Sequence, residues 1–205
     1  MKTLLRIQTS LQGSKGQSSQ LADRFVERWL RNNPGGRIVT RDLSRDTVPH
    51  LTAERFAAFA ASDGERTSDQ QAALALSDAL IDELRDADTI VMAVPMYNFS
   101  VPSTLRSYFD HIARAGVTFR YTASGPEGLI KGKQVYVFIT RGGIYSGAAD
   151  TQTPYLRQFL GFIGITDVEF VYAEGLAYGN GVGEKNLMAA NATIEKLPAT
   201  EAEAA

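Results

Sequence analysis

Asp88 to Val94 reads Asp-Thr-Ile-Val-Met-Ala-Val, an almost unbroken apolar run no longer than a strand, and it dictates the architecture around it. Such a run suits a strand buried on both faces, and strands of that kind sit inside parallel sheets covered by helices. Four more strand-length segments accompany it: Leu4 to Thr9, Arg37 to Leu43, Gln134 to Thr140, and Asp167 to Val171. Amphipathic stretches separate them. Leu21, Phe25, Val26, Trp29 and Leu30 recur at helical spacing from Ser19 onward, and Leu76, Leu80 and Leu84 do so in a helix starting near Thr67. Leu105, Phe109 and Ile112 follow Pro102, a residue suited to a first helical turn. Further helices are predicted over Thr151 to Ile163 and Glu184 to Leu197, with a short one around Glu54 to Phe59. Val117 to Tyr121 and the Gly/Pro stretch through Gly132 read as a small hairpin or excursion.

Parallel strands need crossovers, and those crossovers are right-handed. Five strands alternating with helices therefore predict an α/β fold: a five-stranded parallel sheet with helices on both faces. The strand count favours the flavodoxin-like order 2-1-3-4-5 over the six-stranded dinucleotide order. The chain has 205 residues, of which 44% are apolar, and neither a repeat nor a linker, so residues 1–197 read as one domain and 198–205 as a flexible tail. A net charge of -2 offers no field for nucleic acid. The absence of cysteine excludes disulfides, thiolate nucleophiles and Cys-based metal sites. Met1 to Ile7 lacks the pattern of a signal peptide, and no window is apolar enough for a membrane span, which predicts a cytoplasmic protein.

Ligands of open α/β sheets bind beyond the carboxyl ends of the strands. Three loops matter on that rule: Ser10 to Ser18, Pro95 to Ser100, and Thr140 to Tyr145. Together they are rich in hydroxyls, amides and glycines. The first ends at a helix N-terminus, which favours an anion, with Ser10, Gln17 and Ser18 as donors and Gly13 and Gly16 allowing close approach. It carries neither a P-loop nor a dinucleotide fingerprint, so a monophosphate fits best. An N-cap role for Ser18 or Ser19 is the plainer alternative. Met96, Tyr97, Asn98 and Phe99 combine aromatic surface with an amide, as a planar heterocycle requires, although aromatics in a loop also simply cover a core. Arg141, Gly142 and Gly143 supply backbone N–H groups and a fixed cation, or a plain turn. His50 and His111 lie outside these loops, which argues against a metal site; His111 and Arg114 read as complements to a helix dipole.

Taken together, Pro95 to Phe99, Ala115 to Tyr121, Gly125 to Leu129, Thr140 to Gly143 and Phe159 to Ile165 resemble the bacterial FMN-dependent NADH azoreductase and quinone reductase family. The resemblance runs from Leu4 to about Gly179. It implies a flavodoxin-like fold, a homodimer with two active sites at its interface, and one non-covalent FMN per subunit. On matching positions, Ser10, Gly16, Gln17 and Ser18 would hold the phosphate. Met96, Tyr97, Asn98, Phe99, Thr140, Arg141, Gly142 and Gly143 would hold the isoalloxazine. Phe99, Tyr121 and Phe162, the last from this subunit or its partner, would form apolar walls for an aromatic acceptor, with ordinary core or dimer packing as the equal alternative for Phe162.

The implied reaction is two-electron, ping-pong hydride transfer: NADH gives hydride to the flavin, NAD leaves, and a quinone or azo compound takes its place. The cofactor carries this chemistry, so no catalytic dyad is expected in the chain. Two positions depart from the family pattern: Gly16 stands where Ser is usual, and Tyr145 where His is expected, ahead of a shortened Ser146 to Asp150 segment. These touch the pocket rim and bear on substrate preference. A flavodoxin-like electron carrier is the rival reading, though such carriers tend to be strongly acidic; a flavin-binding regulatory protein is a third.

Overall fold

The computed structural model describes residues 1–62 and 64–198. Its main sheet contains β1 (Thr3–Gln8), β2 (Arg37–Asp42), β3 (Thr89–Pro95), β6 (Gln134–Thr140) and β7 (Asp167–Ala173), all parallel, in the order β2-β1-β3-β6-β7. Leaving aside the separate antiparallel hairpin of β4 (Phe119–Thr122) and β5 (Gly125–Gly128), this is the expected order 2-1-3-4-5.

Every residue of β3 is buried, and its side chains feed two cores in alternation. Ile90, Met92 and Val94 join Leu80 and Leu84 of α3 (Ser68–Asp86), Leu105 and Phe109 of α4 (Ser103–Ile112), and Leu160 of α5 (Gln152–Ile163). Val91 and Ala93 join Leu21, Phe25 and Trp29 of α1 (Gln17–Asn32) and Ile194 of α6 (Val182–Ile194). Each fully buried Val, Ile or Met contributes about 1.5–3 kcal/mol, so this one strand anchors both helical layers. A short helix, α2 (Ala53–Ala60), packs against α3.

The helix starts show what sets their boundaries. Thr67 opens α3 with a reciprocal capping box, accepting from the Gln70 amide at 3.3 Å while the Gln70 side chain accepts from the Thr67 amide at 3.1 Å. α1 begins at Gln17, two residues ahead of the expected Ser19, because Gly16 serves as N-cap in an extended conformation without any side-chain bond. Ser18 and Ser19 therefore lie inside the first turn, which removes the N-cap alternative for both. α6 stops at Ile194 rather than Leu197. Beyond it the Leu197 carbonyl accepts from Arg28 and the Pro198 carbonyl from the Tyr136 hydroxyl. The rest of the expected tail lies outside the described residues.

The hairpin is seated backbone to backbone on the end of α5. A Cβ built on Gly128 would lie 2.0 Å from the Gly164 nitrogen, and Gly164 caps α5 with φ +106°. His111 departs from the dipole reading. It is fully buried, its Nδ1 lies 2.9 Å from the Ser107 carbonyl, and burial pushes its pKa down, so a neutral ring is favoured there.

Candidate functional site

The three loops named from the sequence converge at the carboxyl ends of β1, β3 and β6. The first leaves β1 through Thr9, whose hydroxyl donates to the Ala93 carbonyl at 2.6 Å, and through the buried Ser10. The chain turns at Gly13, φ +57°, and reaches Gly16, where a Cβ would lie 2.1 Å from the Ser10 hydroxyl oxygen. Glycine at position 16 thus lets the Ser10 side chain occupy the space that a side chain there would take. The first helical turn beyond Gly16 contains no acidic residue, and its leading amides have no partner within the helix. Ser19 accepts from the Gln8 side-chain amide at 2.8 Å and is accounted for structurally. Ser18 is not: its hydroxyl is buried with no hydrogen-bond partner among the described residues. An orphan buried hydroxyl beside helix amides without intrahelical partners is a donor set that suits an anion.

The second loop makes a tight turn. Tyr97 and Ser100 exchange two backbone bonds of 3.1 Å, with Asn98 at φ +49° and Phe99 at φ +62° between them. Positive φ at both central residues is the signature of a type I′ turn. Asparagine tolerates that conformation, whereas a bulky Phe is strained in it and held by its surroundings. The Tyr97 hydroxyl accepts from the Leu11 amide at 3.2 Å, clipping this turn to the first loop, and the Met96 amide donates to Thr140 at 2.8 Å. Phe99 is 65% exposed and meets Tyr145 edge-on at 5.7 Å.

The third loop corrects one expectation. Arg141 is not a cation offered to a ligand, for its side chain is only 1% exposed and turned inward. Nε donates to the Gln152 side-chain oxygen at 3.0 Å, Nη1 to Glu174 at 2.9 Å and Nη2 to Asp150 at 2.5 Å. Burial alone would push the Asp150 carboxyl up. Hydrogen bonds from Thr153 and the Arg141 guanidinium outweigh it and hold that pKa below its ordinary value. The Arg141 backbone is occupied as well, its amide donating to the Ala173 carbonyl at 3.0 Å. The carbonyls of Arg141, Gly142 and Gly143 accept from the amides of Leu176, Ala177 and Gly175 at 2.9–3.1 Å, while the amides of Gly142 and Gly143 meet no protein acceptor among the described residues.

A cleft of about 160 Å³ lies between the loops. Its walls bring together Ser10, Gly16 and Gln17 of the first loop, Met96 and Tyr97 of the second, and Thr140, Arg141 and Gly142 of the third. Asn98, Phe99 and Gly143 are chain neighbours of these wall residues, and Ser18 lies in the helical turn behind Gln17. Tyr121 and Phe162 are elsewhere in the chain: both ring against Phe119, at 5.6 and 4.2 Å, in the hairpin cluster. The cleft also includes Leu176, from the loop after β7, which the sequence reading did not single out. The strand-end rule that selected the other loops could have pointed to it.

A doubly covered parallel sheet with a helix N-terminus and two further loops at its carboxyl edge puts this cleft where open α/β sheets bind their ligands. The chain belongs to a family of flavodoxin-like fold, whose model matches residues 1–197. It is 54% identical over 180 residues to the FMN-dependent NADH:quinone oxidoreductase of Cellvibrio japonicus (strain Ueda107), covering 87% of this chain and 90% of that one. Its identity to the protein of the same name from Burkholderia thailandensis is 52% over 195 residues, covering 95% and 98%. Among solved structures, an azoreductase from Bacillus anthracis str. Sterne superimposes with a TM-score of 0.88 at 28% identity, covering 96% of this chain and 98% of that one. An FMN-dependent NADH-azoreductase from Bacillus anthracis str. Ames Ancestor, in complex with FMN, gives 0.84 at 25%, covering 96% and 99%.

Proposed function

We propose that this protein is an FMN-dependent NADH:quinone oxidoreductase that also reduces azo compounds. The observation carrying the proposal is the buried, unpartnered Ser18 hydroxyl in the first turn of α1, beside Gly16 and the free helix amides. Those groups suit the dianionic phosphate of FMN. Ser10 and Gln17 complete that end, and the Met96 to Phe99 and Thr140 to Gly143 segments take the isoalloxazine. FMN, once bound, supplies two-electron hydride chemistry between NADH and the acceptor.

The chain's own part is to hold and screen. The Gly142 and Gly143 amides are donors for acceptor atoms on a ring edge. At about 160 Å³ the cleft is smaller than the roughly 300–1,000 Å³ of an enclosing ligand pocket. Phe99, 65% exposed beside the cleft residue Tyr97, and Tyr121 are assigned to the acceptor walls, with Phe162 joining them from a second subunit. Leu11, Phe99, Tyr121 and Ile144, all at least half exposed, supply apolar surface for such a homodimer. Residues 1–197 act as one domain in this reading. No helix among the described residues is long and apolar enough to cross a membrane. The cytoplasm, where NADH is at hand, is the compartment this reading assigns to the activity.

The test is Ser18→Ala. A lost hydrogen bond to a charged group is worth about 1.5–3 kcal/mol, so FMN should bind roughly ten- to a hundredfold more weakly by fluorescence titration. The flavin-free variant should unfold at the same temperature as the parent or higher, because an unsatisfied buried hydroxyl has gone. Unchanged FMN affinity would reject the phosphate assignment. Bleaching of the flavin absorbance by NADH, with reoxidation by a quinone or an azo dye, separates an enzyme from a carrier that only another protein can reduce.

A further inference from the structure

We propose that Gln152, with Thr151 beside it, is a positioning residue that locks the Pro95–Phe99 turn and the Thr140–Gly143 loop into one frame. Gln152 is fully buried at the start of α5. Its side-chain nitrogen donates to the Pro95 carbonyl at 3.3 Å and its oxygen accepts from Arg141 Nε at 3.0 Å. Bridging a carbonyl and a guanidinium N–H takes a side chain with a donor at one face and an acceptor at the other, as a carboxamide has. Thr151 completes the grip, its hydroxyl donating to the Phe99 carbonyl. The turn is therefore tied to α5 at both ends, across the segment where Phe99 holds its positive φ.

The start of α5 is itself fixed. One Asp150 oxygen accepts from the Gln152 and Thr153 amides, each at 3.0 Å, and from Arg141 Nη2. Arg141 in turn carries the third loop, and the Glu174 carboxylate that it meets also accepts from the Tyr145 amide at 2.8 Å. Both proposed ring-binding loops thus hang from one buried network, in which each bond raises the penalty for breaking the next. The frame serves the flavin seat proposed above and rests on that reading for its purpose, but not for its existence.

Three variants test it. Gln152→Met removes both bonds, Gln152→Glu keeps only the acceptor facing Arg141, and Thr151→Val removes one hydroxyl from an exposed position. The first readout needs no flavin: hydrogen exchange at the Tyr97 and Ser100 amides. It should accelerate in Gln152→Met and Thr151→Val while exchange at the Leu5 and Ile90 amides of the sheet stays unchanged. The second is titration with FMN, whose Kd should rise roughly tenfold in Gln152→Met, the equivalent of one hydrogen bond at the upper end of its usual worth, and by less in Gln152→Glu.

Unchanged exchange at Tyr97 and Ser100 would overturn the proposal, and so would faster exchange with an unchanged Kd. Should Gln152→Met not fold, Thr151→Val decides by the same two readouts. If the parent protein binds no FMN, the flavin reading fails by itself, and local exchange alone then supports or overturns the frame.

Discussion

Phe99 occupies a position that Asn-Gly pairs normally take, the second central residue of a type I′ turn. Holding a non-glycine residue at positive φ costs about 1–3 kcal/mol. Replacing Phe99 with Gly removes that strain together with the edge-on contact to Tyr145. Phe99→Gly should therefore raise the thermal midpoint of the flavin-free protein while lowering turnover with quinones. A midpoint that falls would mean the exposed ring contributes more to folding than its strain removes. Arg141 shows the limit of reading single residues from sequence. Its place after a strand marks it as a ligand cation, but its partners come from two other stretches of chain, Asp150 and Gln152 from one and Glu174 from the next, and only the folded arrangement turns the guanidinium inward. Ser18 was legible in part. Its position after the first strand identified the loop, whereas its lack of any partner is visible only in three dimensions.

Among the elements, the strands were the most legible, because two-sided burial leaves β3 no polar position between Ile90 and Val94. The start of α1 was less so: Gly16 caps without a side-chain bond and leaves no sequence signal of the usual kind. The hairpin was read only as a hairpin or an excursion, since its anchor is a backbone contact distant in sequence. Gly128→Ala places a methyl group 2.0 Å from the Gly164 nitrogen and 2.3 Å from its Cα. The sheet end of α5 cannot yield without breaking the 2.8 Å bond from the Ile130 amide to the Ile163 carbonyl. The expected outcome is a loss of about 1–3 kcal/mol in denaturant unfolding, with faster hydrogen exchange confined to 119–130. A neutral result would mean that the hairpin is free to move off the helix end.

For the molecule as a whole, the buried His111 links folding to acidity. Burial lowers its folded-state pKa, with Arg55 acting in the same direction, while the Ser107 carbonyl and Asp110 act against it. A lowered folded pKa means that the unfolded chain binds the proton first, below the ordinary histidine value of about 6.5. The stability this group contributes is thus complete above that pH and is lost as the pH falls through it. Between pH 7 and 5 the midpoint of denaturant unfolding should fall in the parent protein and fall less steeply in His111→Gln. Equal slopes would show that another group dominates that window.

The 141–143 segment, finally, has spent its carbonyls on the loop that follows β7 and kept two amides in reserve. As a wall of the proposed seat they would act as a filter of hydrogen-bond sign. A ring edge arriving with lone pairs meets matching protons, and one arriving with protons meets protons. In the flavin seat proposed above, selection among planar molecules of equal size and aromaticity would rest on the peptide backbone, with the Arg141 and Gln152 side chains holding it in place.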